Sequence, residues 1–471
     1  MKLSKVLAVA FCVLMLVAVF SSAALADNQE IAIQLDGQNI QVGEVAPIIV
    51  DGRTFVPFRA LFEAMGAEVD FDDATRTVLA ERDGLNISFV IGEKAVTIAE
   101  GENKTTVQID AATFIREGRT LIPVRFAAQA LGASVGWDAA KRTVLIIDTD
   151  KLAAKYAENF TLMNLILADN AKYYDKTYAF TGNMDMKMKV AADESTTYPM
   201  DANVTFDGLV DGVSAMDMNM TMSLAMEQLL SELTAEADEA EQAEINELIN
   251  GLKNMKVHVL MDMNSGKYYM QSAFLNQMLE QKEDAWLLFD FMELLSDMDM
   301  DMGFDMSMLQ SVSKVDSMED ALRLLVAMSG PTDVNSYAEL VKELNAVETV
   351  VGDKAFVKAG DVYTAKTSVK DMEGVDVEMT LVIKTANDAF ASYDLDAKLS
   401  AEGMTMTVDC DMNAAGKQNF KVAMDAASLL NMEISGSMAY SDTDKKVPAM
   451  PTQNVVDIMD LLMGAIIGEG E

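Results

Sequence analysis

From Lys151 onward, long stretches of the chain alternate strictly between apolar and polar side chains. Met184, Met186, Met188 and Val190 share one parity, as do Met216, Met218, Met220, Met222 and Leu224. The same holds for Met255, Val257, Val259, Met261 and Met263, and for Met404, Met406, Val408, Cys410 and Met412. The stretch SDMDMDMGFDMSM, Ser296 to Met308, puts Met298, Met300, Met302, Phe304, Met306 and Met308 on even positions. Its odd positions carry Asp297, Asp299, Asp301, Asp305 and Ser307. Successive side chains of a strand point to opposite faces. Each segment therefore predicts a strand with methionine on one face and Asp, Asn, Thr or Lys on the other. Together they predict an antiparallel sheet with one dry and one wet face.

Other periods place the remaining elements. Leu152, Tyr156, Phe160, Met163, Leu167 and Ala171 recur at helical spacing and predict a long helix within Lys151–Phe180. The acidic segment Leu224–Leu252 predicts a helix or helix pair with a solvated face. Asn264-Ser265-Gly266 is a turn signal between Met255–Met263 and Lys267–Ala273, hence a hairpin. Asp316–Met328 and Ser336–Val347 read as amphipathic helices split by Gly330-Pro331. Further strands are expected near Ala355–Val357, Val362–Val369, Val375–Lys384, Ala391–Ala401, Met404–Met412, Gln418–Asp425 and Glu433–Tyr440, with a docked helix over Val455–Ile467.

Before Lys151 the chain repeats itself at an offset of 66 residues. Gly52–Ala80 reads GRTFVPFRALFEAMGAEVDFDDATRTVLA, and Gly118–Ile146 reads GRTLIPVRFAAQALGASVGWDAAKRTVLI. Each copy opens on a turn, Asp51-Gly52 or Glu117-Gly118, and runs through a short apolar stretch to Pro57 or Pro123. A helix is expected next, Arg59–Met65 or Arg125–Leu131, ended by Gly66 or Gly132 as a C-cap glycine. A strand, a turn at Asp72-Asp73-Ala74 or Asp138-Ala139-Ala140, and a last strand from Arg76 or Arg142 complete the unit. Two such units predict one small α/β domain over about Ile31–Thr149.

This duplicated motif resembles the copper amine oxidase-like N-terminal domain, also called a stalk domain. The resemblance covers about a quarter of the chain and implies an extracytoplasmic module that is an appendage to the oxidase chemistry. Oxidase machinery itself is excluded, because a copper oxidase centre needs several imidazoles and the chain has one histidine, His258. Arg53, Arg59, Arg119 and Arg125 recur at matching positions. They read either as an interaction site for anionic wall polymers or as ties from each helix start to a nearby carboxylate or carbonyl. Farther on, the order of a helix, YAFTGNMDMKMKV, SAMDMNMTMSLAM, MNSGKYYMQSAF and DAWLLFDF is similar to the LolA/LppX-type lipoprotein carriers. That similarity, over about residues 152–467, implies a half-barrel sheet curved over helices with an apolar cavity between.

Charge and the termini narrow the setting. Lys2 and Lys5, the apolar run Leu7–Phe20 and Ala24-Leu25-Ala26 predict a signal peptide over residues 1–26. No transmembrane segment is expected after its cleavage, which takes the formal net charge from -39 to -41. Such a charge repels nucleic acid. Cys12 would leave with the signal, so Cys410 alone remains, without an internal disulfide and, on the Met face, as a buried thiol. The Asp297–Met308 stretch fails as an EF-hand, since position six is Met302 and position twelve Met308. Copper(I) held by thioethers and loose cation binding by the aspartate face are the remaining metal readings.

The expected fold is therefore α+β: a small duplicated α/β stalk-like domain, then a large antiparallel half-barrel sheet with helices packed on it and a helical insertion at 224–252. No nucleophile–base pair, phosphate loop or zinc spacing supports an enzyme, and no cofactor is called for. Methionine is unbranched and adapts to irregular apolar partners. The expectation is an exported, envelope-associated protein binding a lipid or other apolar small molecule. The ligand-facing residues would be Met184, Met186, Met188, Met218, Met220, Met222, Met261, Met263, Met298, Met300, Met302, Met306, Met404 and Met406. A structural or cell-wall interaction protein with no ligand is the alternative, and copper(I) handling the third.

Overall fold

The computed structural model describes residues 31–41, 43, 45–101, 103–109, 111–191, 197–225, 238–291, 293, 314–372, 375–401, 403–426, 430–459 and 461. The expected signal peptide and the stretch Ser296–Met308, with Met298, Met300, Met302 and Met306, lie outside the described residues. The chain divides into two compact units. One runs up to Thr149 and takes in Gly330–Glu339; the other holds Asp150–Ser329 and the chain from Leu340.

The N-terminal unit contains three sheets. Strands β1 (Ala32–Leu35), β2 (Gln38–Ile40), β12 (Ala133–Asp138) and β13 (Thr143–Asp148) form the first, with β1 parallel to β13. Strands β3 (Ile48–Val50), β4 (Arg53–Pro57), β10 (Phe114–Arg116) and β11 (Arg119–Pro123) form the second. The third is an antiparallel meander of β5 (Glu68–Asp72), β6 (Thr77–Arg82), β7 (Leu85–Val90), β8 (Ala95–Glu100) and β9 (Asn103–Gln108). The two repeat hairpins β3–β4 and β10–β11 join through β4 and β11, where Val56 faces Ile122. Both tips need positive φ at two residues, as a type I′ turn does: Asp51 and Gly52 at 49° and 75°, Glu117 and Gly118 at 52° and 73°.

Helices α1 (Phe58–Ala64) and α2 (Val124–Gln129) start directly after Pro57 and Pro123, one residue earlier than the sequence suggests. The last strand of each repeat begins at Thr77 or Thr143, because Arg76 and Arg142 take left-handed φ of 55° and 48° and close the turn instead. One core joins the repeats: Leu61, Phe62 and Val78 from the first, Ile122, Ala127 and Val144 from the second. Arg82 reaches across to Asp148 at 2.9 Å and to the Leu131 carbonyl at 3.3 Å, with the two charged side chains only 12% and 3% exposed. The segment from Gly330 docks in the same unit, where the backbone of Pro331 crosses Gly136 so closely that a Cβ there would lie 1.6 Å from the Pro331 oxygen.

The C-terminal unit is built on one fourteen-stranded, curled half-barrel sheet. Its strands are β14 (Thr177–Ala191), β15 (Thr197–Asp211), β16 (Ala215–Ala225), β17 (Met255–Asp262), β18 (Lys267–Gln271), β19 (Trp286–Asp290), β20 (Phe356–Ala359), β21 (Val362–Met372), β22 (Val375–Ala386), β23 (Ala389–Ala401), β24 (Met404–Asn413), β25 (Lys417–Ala426), β26 (Leu430–Asp442) and β27 (Val455–Asp457). The spatial order is β20 to β26 in sequence, then β14 to β19, then β27. All pairs are antiparallel except β19–β27. The helices are α3 (Thr149–Ala157), α4 (Thr161–Ala171), α5 (Glu239–Leu252), α6 (Ala273–Met278), α7 (Met318–Ser329) and, from Leu340 on, α8 (Ser336–Val351).

Three expectations are corrected here. The long helix from Lys151 is broken into α3 and α4 at Phe160, which is fully buried. The break is stabilised from a distant part of the chain: the Asp353 carboxylate accepts from Thr161 N at 3.0 Å, Leu162 N at 3.1 Å and Thr161 Oγ1 at 2.8 Å. Those are the orphan donors of a new helix start. The expected helical segment at 224 begins as strand, because Leu224 and Ala225 still pair with Ala202 and Asp201; helix is described from Glu239. Val455–Asp457, expected as helix, is a strand whose backbone pairs with Trp286–Leu288.

Candidate functional site: the methionine face of the large sheet

Directly paired residues in a sheet lie on the same face. Pairing therefore traces one row across eleven successive strands: Phe356, Ala365, Leu381, Leu395, Cys410, Phe420, Gly436, Met184, Val204, Met222 and Met255. The row one residue along is polar: Lys366, Thr380, Asp396, Asp409, Lys421, Ser435, Asp185, Asn203 and Ser223. The alternation of single strands thus adds up to one continuous apolar face and one continuous polar face.

Two helices cover the flanks of the apolar face. On one flank Leu162 and Ile166 of α4 pack with Leu381, Ile383, Phe390 and Met412. On the other, Phe274 and Leu275 of α6 pack against Met255, Val257 and Val259, with Met218, Met220 and Met222 beside them. In the middle, three glycines each lie opposite a phenylalanine: Gly182 with Phe206, Gly208 with Phe180, Gly436 with Phe420. A Cβ built on each glycine would come within 2.5, 2.9 and 2.8 Å of the ring. The rings lie across the glycines, as aromatic rescue of a strand glycine does.

Farther along the same face, five strands contribute one methionine each to a single line. Met200 of β15 faces Met188 of β14, Met188 faces Met432 of β26, Met432 faces Met424 of β25, and Met424 faces Met406 of β24. All five are half-buried. Of the residues singled out from sequence, Met188 and Met406 fall in this ladder, and Met184 and Met222 in the eleven-strand row. Met186 lies one pair farther along β14, opposite Ile434, and Met261 faces Met216. Met263 lies past the end of β17, where its N–H donates to Ser214 O at 3.0 Å. Met404, at the start of β24, is 45% exposed. Sequence reasoning missed Met200, Met424 and Met432, because each is an isolated methionine without a Met-x-Met neighbour.

The polar face carries its own chemistry. Open grooves of about 740, 700 and 490 Å³ are lined mainly by this face's residues, including Lys187 and Glu433, His258 and Gln271, and Lys366 and Lys398 respectively. Asp396 faces Asp409 directly, and the hydrogen bond the two carboxyls share holds Asp396 above the usual carboxylate range, with burial adding to it. His258 stands on this face, as its parity predicts. Its Nε2 lies 2.7 Å from Asp217 Oδ1, a partner that sequence alone could not supply without the β16–β17 register. Cys410 is on the apolar face but half-buried, not buried, with Sγ 3.4 Å from the Tyr393 hydroxyl. Burial first, and Cys410 second, push the Tyr393 phenol far up.

The four arginines of the N-terminal repeats have the following surroundings. Arg59 donates to the Val69 carbonyl at 2.9 Å and Arg53 to the Asp51 carbonyl at 3.1 Å. Arg119 and Arg125 are exposed. Arg53 and Arg119 begin β4 and β11, whose antiparallel pairing puts them at opposite ends of that sheet.

Residues 34–146 match the family described as the copper amine oxidase N-terminal domain. In copper amine oxidases that N-terminal domain is non-catalytic, and the match suggests a stalk-like domain here. The donor set of the chain does not fit an amine oxidase copper centre: its single histidine is committed to Asp217, and among the described residues no group of three or more His, Cys, Asp or Glu is placed to hold a metal ion. No curated protein matches the chain. Among solved structures it is similar to a double-mutant porin of Rh. blastica, at 8% identity and a TM-score of 0.12, over 56% of this chain and 100% of that one. A score that low bears on neither fold nor function. The resemblance of residues 152–467 to LolA/LppX-type carriers finds no support in these comparisons. Among the described residues no helix is long and apolar enough to cross a membrane.

Proposed function

We propose that this is an exported, non-catalytic protein of the cell envelope whose large sheet binds an acyl chain or comparable apolar ligand along its methionine face. The supporting observation is the middle of that face. Between the flanks covered by α4 and α6, the methionine ladder and the glycine–phenylalanine pairs lie on one apolar face, and all five ladder residues are partly exposed. Five strands span about 19 Å across the hydrogen-bonding direction, a length suited to a long acyl chain. Contiguous exposed apolar surface on a protein marks a binding site more often than a random excess, and thioether side chains adapt to a flexible partner.

A fluorescent fatty acid titrated into the full chain tests the reading. The expected result is saturable binding that Met432→Asp, a charge in the centre of the strip, lowers at least tenfold (~1.4 kcal/mol). Lys187→Asp, on the opposite face, leaves it unchanged. Absence of uptake, or equal loss in both variants, would favour a sheet that serves structure alone.

A further inference from the structure

We propose that the five-methionine ladder is also a binding site for a soft monovalent cation, Cu(I) or Ag(I). Read strand by strand, thioethers and carboxylates of this chain alternate to opposite faces, which argues against a metal site within any one strand. The pairing changes the geometry. Met200, Met188, Met432, Met424 and Met406 come from five neighbouring strands and stand in one line on one face. Directly opposed residues have Cβ atoms about 4.5–5.5 Å apart. Each methionine carries three rotatable bonds, so sulfurs of three adjacent residues reach a common point between them. Met188, Met432 and Met424 form the central trio.

The surroundings select the ion. Thioether sulfur is a soft donor that favours Cu(I) and leaves Zn, Mg and Ca to nitrogen and oxygen ligands. Toward the strand middles the same-face neighbours are Met186, Ala202, Ile434, Val422 and Val408, and none of these is a carboxylate or imidazole. All five residues are partly exposed. A formal net charge of -39 raises the local concentration of any cation.

Acyl-chain binding and cation binding share these side chains but respond differently to leucine, which keeps apolar volume and removes the sulfur donor. The test is a titration of the full chain with Cu(I) under reducing conditions against a chromogenic competing chelator. The expected result is micromolar or tighter binding, lowered ~100-fold or more (~2.7 kcal/mol) in the Met188→Leu, Met424→Leu, Met432→Leu triple variant. A control triple variant, Met218→Leu, Met220→Leu, Met222→Leu, alters methionines packed under α6 and should keep the wild-type affinity. Binding weaker than micromolar by the wild type, an unchanged ladder variant, or an equal loss in the control would overturn the assignment. Absence of fatty-acid uptake by the wild type, with its Cu(I) binding intact, would count against the acyl-chain reading alone.

Discussion

The start of α4 gives a sharp energetic prediction, because a single carboxylate from far along the chain holds it. Asp353 accepts three hydrogen bonds, from Thr161 N, Leu162 N and Thr161 Oγ1. Asp353→Ala returns two backbone N–H groups and a hydroxyl to solvent. Loss of a cap of this kind costs about 1–2 kcal/mol, toward the upper end because the acceptor is charged. The helix cannot recruit a substitute from its own N-cap, since that residue is Phe160 and offers no side-chain acceptor. Asp353→Asn keeps one amide oxygen and should lose roughly half as much. Hydrogen exchange read by mass spectrometry resolves the effect locally. Peptides covering Thr161–Ala171 should lose protection by about 5–30-fold in the alanine variant, the factor that 1–2 kcal/mol implies. Peptides from β14 and β15 should keep theirs. Unchanged protection across α4 would refute the argument that Asp353 fixes the helix start; a uniform loss across the sheet would refute its local nature.

Three further outcomes follow from the same structure. Arg82→Ala should destabilise the N-terminal unit by about 3–5 kcal/mol in thermal or denaturant unfolding, because it leaves the 3%-exposed Asp148 carboxylate without its cation. Asp409→Asn should stabilise the C-terminal unit at neutral pH by a few tenths of a kcal/mol, the scale of directly opposed like charges. The raised Asp396 group favours the folded state when protonated, so its contribution is present at pH below the ordinary carboxylate range and fades as pH rises through the raised value; the variant should flatten that part of the pH–stability curve. Gly136→Ala drives a methyl into the Pro331 carbonyl, and limited proteolysis should then cut within Gly330–Glu339 at least several-fold faster than in the parent chain.

Much of this architecture was legible from residues 31 onward. The repeat showed itself because turn chemistry recurs with the motif: Asp51-Gly52 and Glu117-Gly118 need positive φ, and Gly66 and Gly132, at 86° and 71°, end each helix. The division of the sheet into a dry and a wet face followed from parity, since a strand has no choice about where alternate side chains point. Long-range facts were not legible. The break after Ala157 depends on Asp353, almost two hundred residues away, which no local period reveals. Val455–Asp457 carries a helix-like apolar pattern, yet tertiary pairing with β19 makes it strand. The ladder needed the pairing register: Met188 and Met406 stood out in Met-x-Met runs, whereas Met200, Met424 and Met432 gave no signal until their partners were known. The same is true of Asp217 beside His258.

The central claim is that the apolar strip between α4 and α6 takes up an apolar ligand. Native mass spectrometry of the full chain, purified without detergent and then offered one long-chain fatty acid, tests it most directly. The account predicts a discrete adduct, either carried through purification or formed stoichiometrically on addition, and its loss in Met432→Asp. A uniformly ligand-free protein that takes up no fatty acid would contradict it.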